Sequence, residues 1–317
     1  MHAEHFRLRQ TTAADFPIIA RMWNAHYGER YPLEPSVLAQ LARTPWYDPA
    51  LAWIAEYNDD VVGAIAGKAP TVPWLPPDLG FLSYIIVDPA VQRRGIGSAL
   101  YTTLVEAIRA RGRRWLLVGG DPGHLVPGIP LEASLATWRF FCSRGATLRE
   151  VFFDLLLDLR LPLPGTLPET TTLEPVDAAH LLPFLARVFP GRWEADMEQY
   201  LQVGGTVLGL WTKRKLIGFV AVYVSGQSYR GPSQYWAQAL PGPAGGMGPL
   251  GLAPEARGKG LGIALVRGAA QWLREHGCTF AVIDWTKLAS FYGRLGAHLW
   301  RAYQSVVLPL PDTLGHK

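Results

Sequence analysis

The amino-acid sequence contains a long internal repeat, and this limits what the chain can fold into. Residues 87–100 read VDPAVQRRGIGSAL, and residues 252–265 read LAPEARGKGLGIAL. Shorter similar segments flank this pair on both sides: 51–67 with 206–222, and 138–146 with 289–297. Repeats of this length are tandem domains rather than solenoid units.

The repeat predicts where the chain divides. A Pro-rich stretch, PLPGTLPETT, follows an apolar run that reads as a strand, and a new strand and amphipathic helix begin after it. Such composition is typical of a linker. We therefore expect an N-terminal domain at 1–161, a linker at 162–171 and a C-terminal domain at 172–317.

The pattern of each half predicts an α/β fold with a mixed sheet. The order is a strand, two helices, a β hairpin, a strand, a loop with a long helix, a strand, a short helix and a last hairpin. Leu100, Leu104 and Ile108 form one face of the first long helix, which Gly112 ends. Leu265, Ala269 and Leu273 form the matching face of the second long helix. A sheet with helices on its faces follows from this order.

Composition excludes several classes of protein. The chain has 317 residues, of which 49% are hydrophobic and 18% charged, with a net charge of +4. This charge is too mild to indicate a nucleic-acid partner, and the sequence has no signal-peptide pattern and no membrane-spanning apolar run. Cys142 and Cys278 are not in metal-ligand spacing, so we expect no metal site and a reducing, cytoplasmic setting.

Two glycine-containing loops carry the main chemical signal. QRRGIG (92–97) and RGKGLG (257–262) each lie between a predicted strand and a predicted helix. A helix N-terminus presents unpaired backbone N–H groups, and glycine lets a phosphate approach them closely. Positive charge is added by four side chains of the loops: Arg93, Arg94, Arg257 and Lys259. Both loops therefore predict a phosphate-binding site.

The motif resembles the coenzyme A loop of the GNAT superfamily of N-acetyltransferases. A strand ending in V-x-P or an equivalent, then Q/R-x-x-G-x-G opening a helix, is present in both halves. The tandem arrangement is similar to that of the mycothiol synthase group and other two-domain members. No GK[ST] follows either loop, which excludes a P-loop, and the glycine spacing does not fit a dinucleotide fingerprint.

The resemblance implies acetyl-CoA as the cofactor and an amine on a small molecule as the acceptor. It implies that loop N–H groups hold the pyrophosphate and that pantetheine lies along the preceding strand. The residues assigned to the cofactor in this way are Ile85, Ile86, Val87, Gln92, Arg93, Arg94, Gly95, Ile96, Gly97 and Ser98, and Leu250, Gly251, Leu252, Arg257, Gly258, Lys259, Gly260, Leu261, Gly262 and Ile263.

Candidate catalytic residues differ between the halves. In the GNAT pattern, a tyrosine on the helix after the fifth strand often protonates the leaving thiolate, and Tyr292 stands at this position, whereas the first half has Phe141. The strands before the loops carry no carboxylate to act as a base. Asp284, at the end of the fifth strand of the second half, is a candidate for accepting a proton or binding the acceptor.

The first half has its own candidates, in the inserted segment GGDPGHLVPGIP. Asp121 is a candidate for acceptor binding, and His124 is a candidate base because its pKa range suits proton transfer near neutrality. The sequence therefore leaves open which half is active. It also leaves open whether the acceptor is an amino sugar, a polyamine, an amino acid, a drug or a peptide N-terminus.

Two other readings remain. In the first of these, one half is a structural or regulatory coenzyme A-binding module, which Phe141 favours for the first half. Nucleic-acid binding through RARGRRW (109–115) ranks low, because cations at a helix C-terminus are expected from the helix dipole.

Overall fold

The structure is a computed structural model and describes residues 6–310. The described chain forms two compact units. The first comprises residues 6–152 and 303–310, and the second comprises residues 153–302.

The first half of the chain alternates strands and helices in the predicted order. Its elements are β1 (Arg7–Gln10), α1 (Phe16–Tyr27), α2 (Pro35–Leu41), β2 (Ala52–Tyr57), β3 (Asp60–Lys68), β4 (Leu79–Val87), α3 (Ile96–Arg109), β5 (Trp115–Val118), β6 (Ile129–Pro130), α4 (Leu135–Cys142) and β7 (Thr147–Asp158).

The second half repeats this order and, up to residue 310, has no counterpart of the short β6. Its elements are β8 (Thr172–Pro175), α5 (Ala178–Val188), α6 (Arg192–Gln202), β9 (Thr206–Thr212), β10 (Lys215–Tyr223), β11 (Ala244–Leu252), α7 (Leu261–Glu275), β12 (Phe280–Thr286), α8 (Ala289–Gly293) and β13 (His298–Pro309).

Each unit contains the predicted mixed sheet. In the first, β1 to β5 are neighbours in chain order, and in the second the corresponding strands are β8 to β12. All these pairings are antiparallel except β4 with β5 and β11 with β12, which are parallel. The long helices α3 and α7 are the crossovers that such parallel pairs require.

Local sequence explains the hairpins and helix faces. Both hairpin turns have two central residues with positive φ, Asn58–Asp59 and Lys213–Arg214, as a two-residue turn of matching twist requires. The predicted faces of α3 and α7 are buried in the two cores. Within residues 6–310, no helix has the length and apolar composition needed to cross a membrane.

The last strand of each unit comes from a distant part of the sequence. Residues 306–309 of β13 pair antiparallel with β5 in the first unit, and residues 153–158 of β7 pair antiparallel with β12 in the second. Val306 and Leu308 are buried in the core of the first unit, and Leu155 and Leu157 in that of the second. Each core therefore includes residues from the other half of the sequence.

This pairing explains two differences from the sequence expectations. The predicted last hairpin is one continuous strand of 12 residues in each half. The compact units divide at Phe152/Phe153 and Ala302/Tyr303 rather than at the Pro-rich stretch. The reason is that the end of β7 pairs with β12 of the second unit and the end of β13 pairs with β5 of the first. The sequence boundaries at 161 and 172 remain a prediction about the repeat.

Charge substitutions in β13 and β7 test whether each strand contributes to the core of the unit with which it pairs. Val306→Asp introduces an unpaired charge into the first core, which costs several kcal/mol. We expect it to lower amide-exchange protection in residues 79–118. Leu155→Asp is the matched change in the second unit and should lower protection in residues 206–286. Val306→Asp protein with residues 79–118 still fully protected would contradict the assignment.

Candidate active site

Both glycine loops end on a glycine that starts the next helix in a left-handed conformation. Gly95 has φ +85° and precedes α3, and Gly260 has φ +75° and precedes α7. Apart from the adjacent backbone, no atom of residues 6–310 lies within 4 Å of where a Cβ would stand at either position. The first N–H groups of each helix have no partner within the helix, so both loops have the geometry of an anion site.

The first residue of each loop braces the loop against the strand before it. The Gln92 side chain donates to the Val87 carbonyl at 3.1 Å, and the Arg257 side chain donates to the Leu252 carbonyl at 3.0 Å. An amide and a guanidinium thus fill the same role.

The loops differ at their second residue. Arg93 has φ +68°, whereas its counterpart Gly258 has φ +73°. The first loop therefore keeps a side chain in a conformation that costs a non-glycine residue about 1 kcal/mol. The strained residue, Arg93, lines the cavity beside the loop.

A cavity of about 580 Å³ lies against the first loop. This volume is typical of ligand pockets. The predicted cofactor residues of the first half line it, with one exception: Ile85, Ile86, Val87, Gln92, Arg93, Gly95, Ile96, Gly97 and Ser98. The exception, Arg94, lies over the ring of Tyr57, 5.6 Å from its centroid.

Sequence reasoning missed the other wall of this cavity. It is formed by the end of α1 and by residues 134–144, including His26, Tyr27 and Arg144. Arg144 donates to Ser98 Oγ at 2.9 Å and lies 3.7 Å from the Phe140 ring centroid, which fixes a cation at the cavity. Its counterpart in the repeat alignment is Leu295, and this unmatched arginine was the available signal.

The predicted cofactor residues of the second half occupy the corresponding elements. Leu250, Gly251 and Leu252 end β11, residues 257–260 form the loop, and Leu261, Gly262 and Ile263 begin α7. A Cβ on Gly262 would lie 3.2 Å from the Phe291 ring, so an aromatic side chain packs against this glycine.

In each unit the two parallel strands part at the level of the site. Among the described residues, the pairing of β4 with β5 ends at Leu82 and Val118, and that of β11 with β12 ends at Gly246 and Val282. The register of β4 and of β11 against its antiparallel neighbour also shifts there, as at a β-bulge. A gap therefore opens in each unit beside the strand that leads into the loop.

Asp284 faces the gap of the second unit. The pairing of β12 with β7 shifts in register between Ile283 and Thr286, on either side of Asp284. In this segment Trp285 has φ +46° and donates its backbone N–H to Asp154 Oδ1 at 3.1 Å. Asp284 Oδ1 lies 3.8 Å from the Cβ position of Gly248 on β11. Burial, and secondly the charge of Asp154, raise the pKa of Asp284 to about 7, which is suitable for a base near neutrality.

Tyr292 is buried on α8 close to this carboxyl group. Burial, and secondly the charge of Asp284, raise the pKa of the Tyr292 phenol well above its usual value, while a hydrogen bond with the Thr286 side chain opposes the rise. The phenol therefore holds its proton at neutral pH. The corresponding position in the first unit is Phe141, also buried, which has no proton to give.

Asp121 and His124 lie in a buried segment of the first unit. Asp121 is 0% exposed, its Oδ2 is 2.5 Å from Lys68 Nζ, and Ser83 Oγ donates to the same oxygen at 2.8 Å. Burial would raise the pKa of Asp121, but the Lys68 ammonium, with smaller contributions from His124 and Ser83, holds it below its usual value.

This environment separates both groups from solvent. His124 is 4% exposed, and the Lys68 ammonium also donates to the Pro122 carbonyl at 2.7 Å. An acceptor would have to displace the ion pair to reach Asp121. The geometry favours a role for Asp121 in holding the inserted segment, a role that sequence reasoning did not consider.

Comparison with known proteins agrees with this architecture. A family model described as "Acetyltransferase (GNAT) family" matches residues 17–121 and 178–297. A mycothiol acetyltransferase of Thermomonospora curvata is 29% identical over 231 residues, which cover 68% of each chain.

Two solved structures share the fold. One is a glucosamine N-acetyltransferase region of a fungal multi-domain β-N-acetylglucosaminidase, with a TM-score of 0.84 and 23% identity. The match covers 96% of this chain and 38% of that longer one. The other is a tandem GNAT protein from the clavulanic acid biosynthesis pathway, with a TM-score of 0.73, 17% identity, and coverage of 98% and 100%.

The predicted fold, tandem architecture and cofactor are thereby confirmed. The family model covers more than half of the chain, in two separate segments that each include one glycine loop. The chain therefore belongs to the GNAT family of acetyltransferases, and it is an acetyl-CoA-dependent N-acetyltransferase built from two tandem GNAT domains.

Proposed function

We propose that the second unit acetylates the amine of a small-molecule acceptor and that the first unit binds coenzyme A without catalysing transfer. The observation that carries this proposal is the pair Asp284 and Tyr292 at the gap of the second unit. By strand register and repeat alignment, the first unit has Gly119 and Phe141 at these positions. One unit therefore has a base and an acid where the other has neither.

The two residues would handle the protons of the reaction. Acetyl-CoA supplies the acetyl group as a thioester. Asp284, ionised above about pH 7, takes a proton from the attacking amine, directly or through water. Tyr292 gives its proton to the departing thiolate and regains one through solvent. The products are the acetylated amine and coenzyme A, so protons balance.

A small acceptor fits the surroundings better than a nucleic acid does. Two arginines of the basic run 109–115 are engaged within the molecule: Arg111 pairs with Asp48 at 2.7 Å, and Arg113 is buried and donates to the carbonyls of Ala69 and Pro70. The name of one similar structure, a glucosamine N-acetyltransferase region, supports including an amino sugar among the acceptors tested.

Calorimetry with coenzyme A tests whether both loops bind the cofactor. We expect two sites per chain. Gly95→Glu and Gly260→Glu should each remove one, because a carboxylate would lie among the N–H groups that face the phosphates. Gly165→Glu, at φ +82° and with open space around it, is the matched control and should keep both. A single site in the unmodified protein would contradict the prediction.

Tyr292→Phe tests the proposed acid. The ring and its packing remain while the proton is lost, so kcat should fall about 10²- to 10⁴-fold with little change in coenzyme A affinity. Coenzyme A release with glucosamine, spermidine and lysine as acceptors measures this. Tyr200→Phe makes the same change at a buried tyrosine that donates to the Val222 carbonyl, and should leave kcat nearly unchanged. An unaltered kcat in Tyr292→Phe would reject the acid role.

Asp284→Asn tests the proposed base through pH. Since the carboxylate is the active form, kcat/KM should rise with pH through about 7 in the unmodified protein, and this rise should be lost in the variant. Retention of the rise would assign it to another group.

The same raised pKa makes a prediction about stability. The folded state holds the Asp284 proton more tightly than the unfolded chain does, so ionisation destabilises the fold increasingly between about pH 4 and 7. Asp284→Asn should therefore be more stable than the unmodified protein at pH 8, by at most about 4 kcal/mol, but not at pH 4. Asp158→Asn is the control with the opposite effect on stability. Because Arg160 lowers the pKa of Asp158 to about 2, this variant should be less stable than the unmodified protein at pH 8.

A further inference from the structure

A second, smaller cavity adjoins the cofactor cavity of the first unit. Its volume is about 60 Å³, and it lies where β4 and β5 part, between residues 82–85 of β4 and Val118 of β5. The two cavities share four lining residues, Tyr27, Ile85, Thr137 and Phe141. These residues form the neck through which a group held in the larger cavity would enter the smaller one.

Three polar side chains that line the small cavity, those of Trp23, Tyr31 and Ser83, are bonded to protein groups, and the Tyr84 side chain lines it as well. Trp23 Nε1 donates to the Tyr31 carbonyl at 2.7 Å, and Tyr31 Oη donates to Glu132 at 2.7 Å. Ser83 Oγ donates to Asp121 at 2.8 Å. The surface that remains for an occupant is therefore largely apolar.

The neck has the same character. Tyr27 and Thr137 are hydrogen-bonded to each other through their side chains, and the other two neck residues, Ile85 of β4 and Phe141 of α4, are apolar. The inserted segment contributes Val126, Gly128 and Ile129 to the far wall.

The volume limits the occupant to a few atoms. A cavity needs about 10–15 Å³ on this measure to hold one water molecule, so 60 Å³ corresponds to about four to six water-sized positions. An acetyl group has three non-hydrogen atoms, a butyryl group has five and a hexanoyl group has seven. The cavity therefore fits an acyl group slightly longer than acetyl.

We infer that the first unit binds short-chain acyl thioesters of coenzyme A, with an acyl chain of up to about four carbons in this cavity. The inference rests on the proposed cofactor site in the first unit. It assigns that site a ligand class, and it assigns the inserted segment a role as the wall that limits chain length.

Binding of a ligand series to Gly260→Glu protein, in which only the first-unit loop is intact, tests the inference. The probes are coenzyme A and its acetyl, propionyl, butyryl and hexanoyl thioesters. Affinity should rise about fourfold for each methylene from acetyl to butyryl, and fall at least tenfold from butyryl to hexanoyl. A flat series, or hexanoyl binding as tightly as butyryl, would overturn it.

Two cavity variants provide an independent check. Ala133→Leu fills the cavity and should weaken butyryl-CoA binding at least tenfold while leaving coenzyme A binding within about twofold. Val126→Ala enlarges it and should move the optimum to a longer chain. Ala179→Leu, the same change as the first at an exposed position of α5, is the matched control and should alter neither.

The outcomes distinguish this inference from the proposed function. If coenzyme A itself fails to bind Gly260→Glu protein, the first-unit cofactor site is absent and both are wrong. If coenzyme A binds but the acyl chain has no effect on affinity, the cofactor site stands and the acyl cavity is wrong.

Discussion

In each unit, two parallel strands are paired over three or four residues and then part. The gap that results lies beside the strand that leads into the glycine loop, so a ligand anchored by its phosphates at the helix N-terminus can extend along that strand into the gap. The long helix after the loop is the crossover that makes the strands parallel in the first place. The proposed phosphate site at the helix N-terminus, the strand before it and the gap beside that strand all belong to one βαβ unit.

The two units have used this arrangement differently. In the second, a bulge on β12 turns Asp284 towards β11 and a short helix brings Tyr292 close to it. In the first, the equivalent strand continues into a buried segment that is fixed by the ion pair between Lys68 and Asp121. The cavity in the first gap is lined largely by apolar side chains, which suits an acyl chain better than an amine.

Much of this could be predicted from the sequence because it is encoded locally. The repeat gave the two domains, the glycines gave the loops and helix starts, and the apolar spacing gave the faces of α3 and α7. Positive φ at Gly95 and Gly260 is what the motif requires, since other residues adopt it only with strain.

What could not be predicted depends on contacts between distant residues. The partner of Asp121 is Lys68, on another strand, and periodicity says nothing about such pairs. The pairing of β13 with β5 joins residues almost 200 positions apart, whereas the sequence repeat suggests contiguous domains. Arg144 was missed because a single arginine after a helix has no motif of its own.

Transfer rates in the two single-loop variants test the central claim most directly. Acetyl transfer from acetyl-CoA to glucosamine, spermidine and lysine should survive in Gly95→Glu protein, because Asp284 and Tyr292 keep an intact loop beside them. The same transfer should be lost in Gly260→Glu protein, although its first unit still binds coenzyme A. Retained transfer in Gly260→Glu protein, with loss in Gly95→Glu protein, would contradict the account and assign catalysis to the first unit.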